Sequence, residues 1–174
     1  MQPDSNELAA AVTAEAAHEL ASALARVRHC LDQLTDEQVW WRPSESMNSA
    51  ANLVLHLCGN LRQWVIAGLG GTPDHRDRPR EFAERGPIPK AELLRRLEQT
   101  VEEARQALGR QTPADLLRVR RIQGFDVTGL RAIFDAVPHF RGHTQEIVHL
   151  TRTLKGDAYR FAFVPVGVEQ GAPA

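Results

Sequence analysis

The stretch HFRGH sets two histidines, His139 and His143, four residues apart. On a helix, side chains at that spacing lie one above the other, so both ring nitrogens can reach one point. Converging imidazoles suit Zn, Ni, Fe or Cu. Glu146 follows three residues later on the same face. Leu150, a core-type residue, continues that face and turns the pair inward. The same spacing also suits two packed, hydrogen-bonded core histidines, and spacing alone leaves both readings open.

A third nitrogen comes from an earlier segment. The helix face centred on His56 carries Asn52, Leu53, Asn60, Gln63 and Trp64. Three amides on a face expected to be buried need partners, which points to a wet pocket or to groups that surround and orient a site. One histidine from one helix and an H-x3-H pair from another make the donor set of a catalytic-type metal site. A fourth position stays open for water or substrate.

Four amphipathic segments must position these residues. The first, about Asn6 to Leu34, carries Leu20, Leu24, Val27, Leu31 and Leu34 at alternating four and three spacing, a bundle seam. The second, about Ser49 to Leu69, has Asn48 as its expected N-cap and Gly70-Gly71 as its stop. The third, about Lys90 to Leu108, follows Pro87 and Pro89, with a seam of Leu94, Leu97, Val101, Ala104 and Leu108. The fourth runs from about Thr128 to Leu154, ends at Gly156 and contains Pro138, where a kink or irregularity is expected. RVRRIQGFDVTG has some alternation, but Gly124 interrupts it and strand signals are otherwise poor. The pattern predicts an all-α four-helix bundle spanning residues 1–160 as one domain, with 161–174 as a frayed tail. The long connections Gly70–Pro89 and Gly109–Val127 permit a crossover.

A formal net charge of −1 gives no sign of a nucleic-acid partner. No apolar run is long enough to cross a membrane, and the N-terminal stretch lacks the pattern of a signal peptide. Two cysteines, Cys30 and Cys58, form no disulfide framework, so a reduced, cytoplasmic protein is expected. Both read as small core residues, with Cys58 pointing away from the His56 face. A di-iron bundle would need paired Glu-x-x-His motifs. Only Glu15 and His18 offer one, and they lie off the seam. Trp40 and Trp41 read as closing the bundle end. Arg62 and the Arg118–Arg121 cluster read as solvated, and His29, His75 and His149 as surface or packing residues.

NSAANLVLHLCGNLRQW (Asn48 to Trp64), the preceding QVWWRPSES (Gln38 to Ser46) and the later HFRGHTQEIVHLTR (His139 to Arg152) together resemble the DinB-like superfamily of metal-binding four-helix bundles. The resemblance extends from the first helix through the fourth. It implies an up-down-down-up bundle, often a homodimer, holding a divalent metal, Zn or Ni, on His56, His139 and His143. Glu146 stands where the family often has Gln. A carboxylate there can accept a ligand N–H or act as a base. Characterised relatives include transferases that use low-molecular-weight thiols such as bacillithiol or mycothiol. The resemblance thus implies a metal-dependent transferase in which a thiol attacks an electrophilic substrate and Glu146 orients a ligand or shuttles a proton. Two other functions fit the same residues: a hydrolase using metal-bound hydroxide, and a non-catalytic bundle that binds metal or a small ligand.

Overall fold

The computed structural model describes residues 4–162, so most of the tail expected to fray, from 163 onward, lies outside the described residues. Three of the four long helices begin at a residue whose side chain caps them; the fourth, Lys90–Gly109, follows Pro89, and the distant Asp36 accepts from its first amide. Helix α1 (Ser5–Leu31) starts at Asp4, whose carboxylate accepts from the Asn6 and Glu7 amides at 2.7 and 2.8 Å while Glu7 reaches back to the Asp4 amide. Helix α2 (Ala50–Leu61) is capped by Ser49 rather than by Asn48. The Ser49 hydroxyl accepts from the Asn52 amide, and Asn52 Oδ1 accepts from the Ser49 amide. A π-helical turn, Arg62–Ala67, continues α2. It is marked by amides that reach five residues back, from Gly68 to Gln63 and from Gly70 to Val65, both at 3.0 Å.

The connection after α2 holds a short helix, α3 (Arg78–Ala83), capped by Asp77. Helix α4 (Lys90–Gly109) and a single turn, α5 (Pro113–Leu117), follow. Strands β1 (Val119–Ile122) and β2 (Phe125–Thr128) form an antiparallel hairpin. Helix α6 (Gly129–Lys155) continues through Pro138 without interruption, so the expected irregularity does not break it. The hairpin corrects the reading of RVRRIQGFDVTG: Gly124 does not interrupt a strand but forms the turn. Gln123 and Gly124 have φ of 51° and 86°, the paired positive angles of a tight two-residue hairpin loop.

Named contacts fix the helix directions. Residues Val12 to Glu19 of α1 meet Ile133 to Pro138 of α6, and further along His29 meets the Arg160 carbonyl, so α1 and α6 run parallel. Arg28 pairs with Glu98, while Asn6 and Ala10 lie by Arg105 and Gly109, so α1 and α4 are antiparallel. The His56 end of α2 faces His139, while Trp64 donates to Gln123 just before α6, so α2 and α6 are antiparallel. The bundle is therefore up-down-down-up, with α3 in the long crossover. Leu20, Leu53, Leu57, Leu97, Phe140 and Ile147 fill its fully buried centre. Two expected seam positions shift by one residue: Ala23 and Leu93 are buried, while Leu24 and Leu94 lie half-buried at the edge. A straight helix has 3.6 residues per turn and drifts against a strict heptad.

Candidate metal centre

Helices α2 and α6 bring His56, His139 and His143 together. One ring nitrogen from each lies within 4.8 Å of the other two. His56 Nε2 is 2.9 Å from His139 Nε2, and the three rings meet edge to face with centroids 4.5 to 5.0 Å apart. The cluster sits half-inside the protein: the His56 side chain is 4% exposed and that of His143 24%.

The remaining nitrogens show where the protons are. Glu81 Oε2 lies 2.8 Å from His56 Nδ1, and Glu146 Oε2 lies 2.8 Å from His143 Nδ1. Each carboxylate accepts the Nδ1 proton, which leaves Nε2 as the nitrogen available to the cluster. Burial, together with His143, His56, Arg76 and Arg78 nearby, pushes the His139 pKa down to about 4, so this imidazole is neutral at physiological pH. Three imidazoles converge on one point, with the Nε2 atoms of His56 and His139 facing each other. That donor set fits a divalent ion, and two of the three rings carry the carboxylate partner typical of ligating histidine.

Glu81 comes from α3. Burial raises the pKa of its carboxyl group, but hydrogen bonds from Arg76 and His56 outweigh this and hold it below the usual range, so it is ionised. Arg76 grips both oxygens, Nε to Oε1 at 2.7 Å and Nη2 to Oε2 at 2.9 Å. Arg76 Nη2 also lies 3.1 Å from His56 Nδ1, but the closer, charged carboxylate is the acceptor for the imidazole proton. Phe82 packs beside the His56 ring, centroids 4.8 Å apart, and Arg78 lies 5.0 Å above Phe82. Arg78 has no acidic partner among the described residues.

The amides expected to surround the histidines divide. Asn52, fully buried, donates to the Glu81 and Glu84 carbonyls at 2.9 and 3.0 Å and accepts from Arg42 and Ser49. Gln63 accepts from Arg76 Nη1 at 3.0 Å and donates to Asp74 at 2.8 Å. Both hold the 74–84 segment rather than touching the imidazoles. Asn60, one turn beyond His56, is buried with no hydrogen-bond partner for its Oδ1 among the described residues. Behind Glu81 and Arg76 lies a cleft of about 700 Å³, also lined by Arg62, His75, Arg80 and Arg96.

Glu81 and Arg76 were not singled out in the sequence. Gly59 was the available signal: a Cβ there would lie 1.8 Å from Glu81 Oε1, so a glycine on a buried helix face marked where another segment docks. Glu15, His18, His75 and His149 are exposed, as expected. His29 contacts the Arg160 carbonyl at 2.6 Å, and Arg62 bonds Glu103 and Thr100. Trp40 donates to the Ile88 carbonyl and, with Trp41, packs against the core. Cys30 and Cys58 are free and buried, and burial pushes the Cys58 thiol up to about 11. No helix among the described residues is long and apolar enough to cross a membrane.

Two solved structures share this architecture. One is described as a conserved protein from Enterococcus faecalis. It is 20% identical, with a TM-score of 0.71, and the match covers 83% of this chain and 97% of that one. The other is a DinB-like protein from Bacillus cereus, 16% identical with a TM-score of 0.59, covering 76% and 85%. At these identities the likeness is one of fold, and the fold is DinB-like. A comparison with curated proteins gives no match. Residues 8–168 match the family described as "Protein of unknown function (DUF1572)", and the chain belongs to that family.

Proposed function

We propose that the protein is a metal-dependent transferase that activates a low-molecular-weight thiol toward an electrophilic substrate. The observation that carries this reading is the convergence of three imidazoles, two of them hydrogen-bonded through Nδ1 to a carboxylate. His56, His139 and His143 hold a divalent ion, with Zn or Ni favoured by the all-nitrogen set. Such an ion supplies Lewis acidity, which lowers the pKa of a thiol or water beside it.

The chain's own groups handle the rest. Glu146 is 41% exposed and bonds His143 through Oε2 alone, so Oε1 is free to take the thiol proton. The sulfur lone pair then forms the S–C bond, the leaving group departs with its electron pair, and Glu146 returns the proton to a basic leaving group or, where chloride leaves, to solvent. Arg78 and Phe82 form a cationic and aromatic wall for the substrate. The free, buried cysteines support a cytoplasmic setting. The exposed Phe134 beside an apolar groove of Val12, Ala16, Ile133, Val137 and Pro138 supports a homodimer.

The test is Zn- or Ni-loaded protein given cysteine-type thiols and 1-chloro-2,4-dinitrobenzene, with conjugate formation followed optically. Metal-dependent conjugation, abolished in His143→Ala, is expected. Ester hydrolysis in thiol-free buffer with no conjugation would replace this reading with a hydrolase. Neither activity across a broad panel would leave a non-catalytic metal-binding bundle.

A further inference from the structure

We propose that Glu81, clamped by Arg76, is the positioning residue of this centre: it holds the His56 proton on Nδ1, aims Nε2 at the ion, and so makes the 74–84 crossover segment a determinant of metal affinity. The proposal rests on the reading of His56, His139 and His143 as ligands.

The three histidines are supported unequally. His139 has no acid partner among the described residues. His143 has Glu146, held by a single contact and 41% exposed. His56 has Glu81, 9% exposed, with both oxygens gripped by Arg76, itself 2% exposed. A carboxylate bound at both oxygens cannot swing away, so the imidazole hydrogen-bonded to it is fixed in tautomer and in ring angle. His56 is the ligand whose geometry is set before any ion arrives.

The clamp is built from several directions. Gln63 holds Arg76 and is itself held by Asp74, so a continuous path runs Asp74–Gln63–Arg76–Glu81–His56, with contacts of 2.8, 3.0, 2.7 and 2.8 Å. Asn52 fixes the backbone of α3 at the Glu81 and Glu84 carbonyls. Gly59 leaves the space that the carboxylate occupies. An ion pair buried only to shape the 74–84 segment would be a weak device, because desolvation offsets most of its attraction. Nor would that require an oxygen on the one imidazole nitrogen that faces away from the cluster. The same arrangement explains two of the amides on the His56 face, Asn52 and Gln63, which serve the imidazole through the segment they anchor.

The experiment uses the full chain with Zn²⁺ alone, titrated against a chelator, in wild type, Glu81→Gln, Glu81→Ala and Arg76→Gln. Loss of an orienting partner of this kind lowers affinity by about 10- to 100-fold. The larger loss is expected for Glu81→Ala. Nitrogen-15 NMR of the metal-free proteins reads the tautomer directly. His56 carries its proton on Nδ1 in wild type and shifts toward Nε2–H in Glu81→Ala, a change that a purely structural role would not produce. Should Glu81→Ala fail to fold, the near-isosteric Glu81→Gln and Arg76→Gln carry the test. Equal Zn²⁺ affinity and an unchanged tautomer in the variants would overturn this proposal while leaving the ligand reading intact. Wild type that binds no Zn²⁺ would overturn the ligand reading and this proposal with it.

Discussion

Replacing Gly59 with alanine sets two effects of known sign against each other. In the interior of a helix, Gly→Ala ordinarily stabilises by about 0.5–1 kcal/mol, because the unfolded chain loses freedom. At position 59 the new Cβ would sit 1.8 Å from Glu81 Oε1, 2.6 Å from Glu81 Cδ and 3.0 Å from Arg76 Nε. Reaching an ordinary 3.4 Å contact moves the carboxylate by about 1.6 Å. That stretches a 2.8 Å bond to His56 past any hydrogen-bonding distance and disturbs both bonds to Arg76. Charged hydrogen bonds contribute about 1.5–3 kcal/mol each. Partial loss of two or three outweighs the gain in helix propensity and leaves Gly59→Ala destabilised by about 1–3 kcal/mol. Gly142 is the control. It lies in α6 between His139 and His143, and a Cβ there meets nothing within 4 Å, so Gly142→Ala shows only the propensity gain. Urea unfolding of the metal-free proteins, paired with Zn²⁺ competition titrations, measures both. Gly59→Ala as stable as Gly142→Ala, with wild-type Zn²⁺ affinity, would refute the reasoning.

Four further outcomes are expected. Leu97→Ala empties a fully buried site on α4, which bears no candidate ligand; it lowers unfolding stability by about 2–5 kcal/mol while one equivalent of metal still binds. Cys58 and Cys30 resist alkylation at pH 8 in the folded protein and both label after denaturation, because burial raises both thiol pKa values, that of Cys58 to about 11. Since the folded pKa is the higher one, the stability gained from burying the neutral Cys58 thiol is present below pH 9 and is lost as pH rises through about 11, which urea titrations at stepped pH would follow. Glu146→Gln keeps the metal but lowers thiol conjugation by about 100-fold; unchanged turnover would remove the proton-carrying role of Glu146.

The long helices and the three histidines were legible because their signals are periodic and local. The H-x3-H spacing and the amide-rich His56 face depend on residues within a few turns, whereas the one cap read from the sequence, Asn48, fell one residue short of Ser49. The hairpin was not legible. Its strands have four residues each, and its glycine reads as a breaker until the partner strand makes it a turn. Helix α3 was hidden for a different reason. Six residues in a Pro-, Asp- and Arg-rich connection carry no period, and nothing in the sequence distinguishes Glu81 from the other acids around it. What revealed it was a set of unmet needs on α2: a helix-interior glycine and buried amides without local partners. Those needs can be read on α2, but which residues of the connection meet them is settled only once α3 is docked.

Metal content of the tag-free protein by mass spectrometry, wild type beside His143→Ala, tests the three-histidine centre most directly. About one equivalent of Zn or Ni in wild type, lost in the variant while its fold is retained, is the expected result. No bound metal in wild type, even after reloading with either ion, would mean that His56, His139 and His143 form a packed cluster and that the metal-dependent function is wrong.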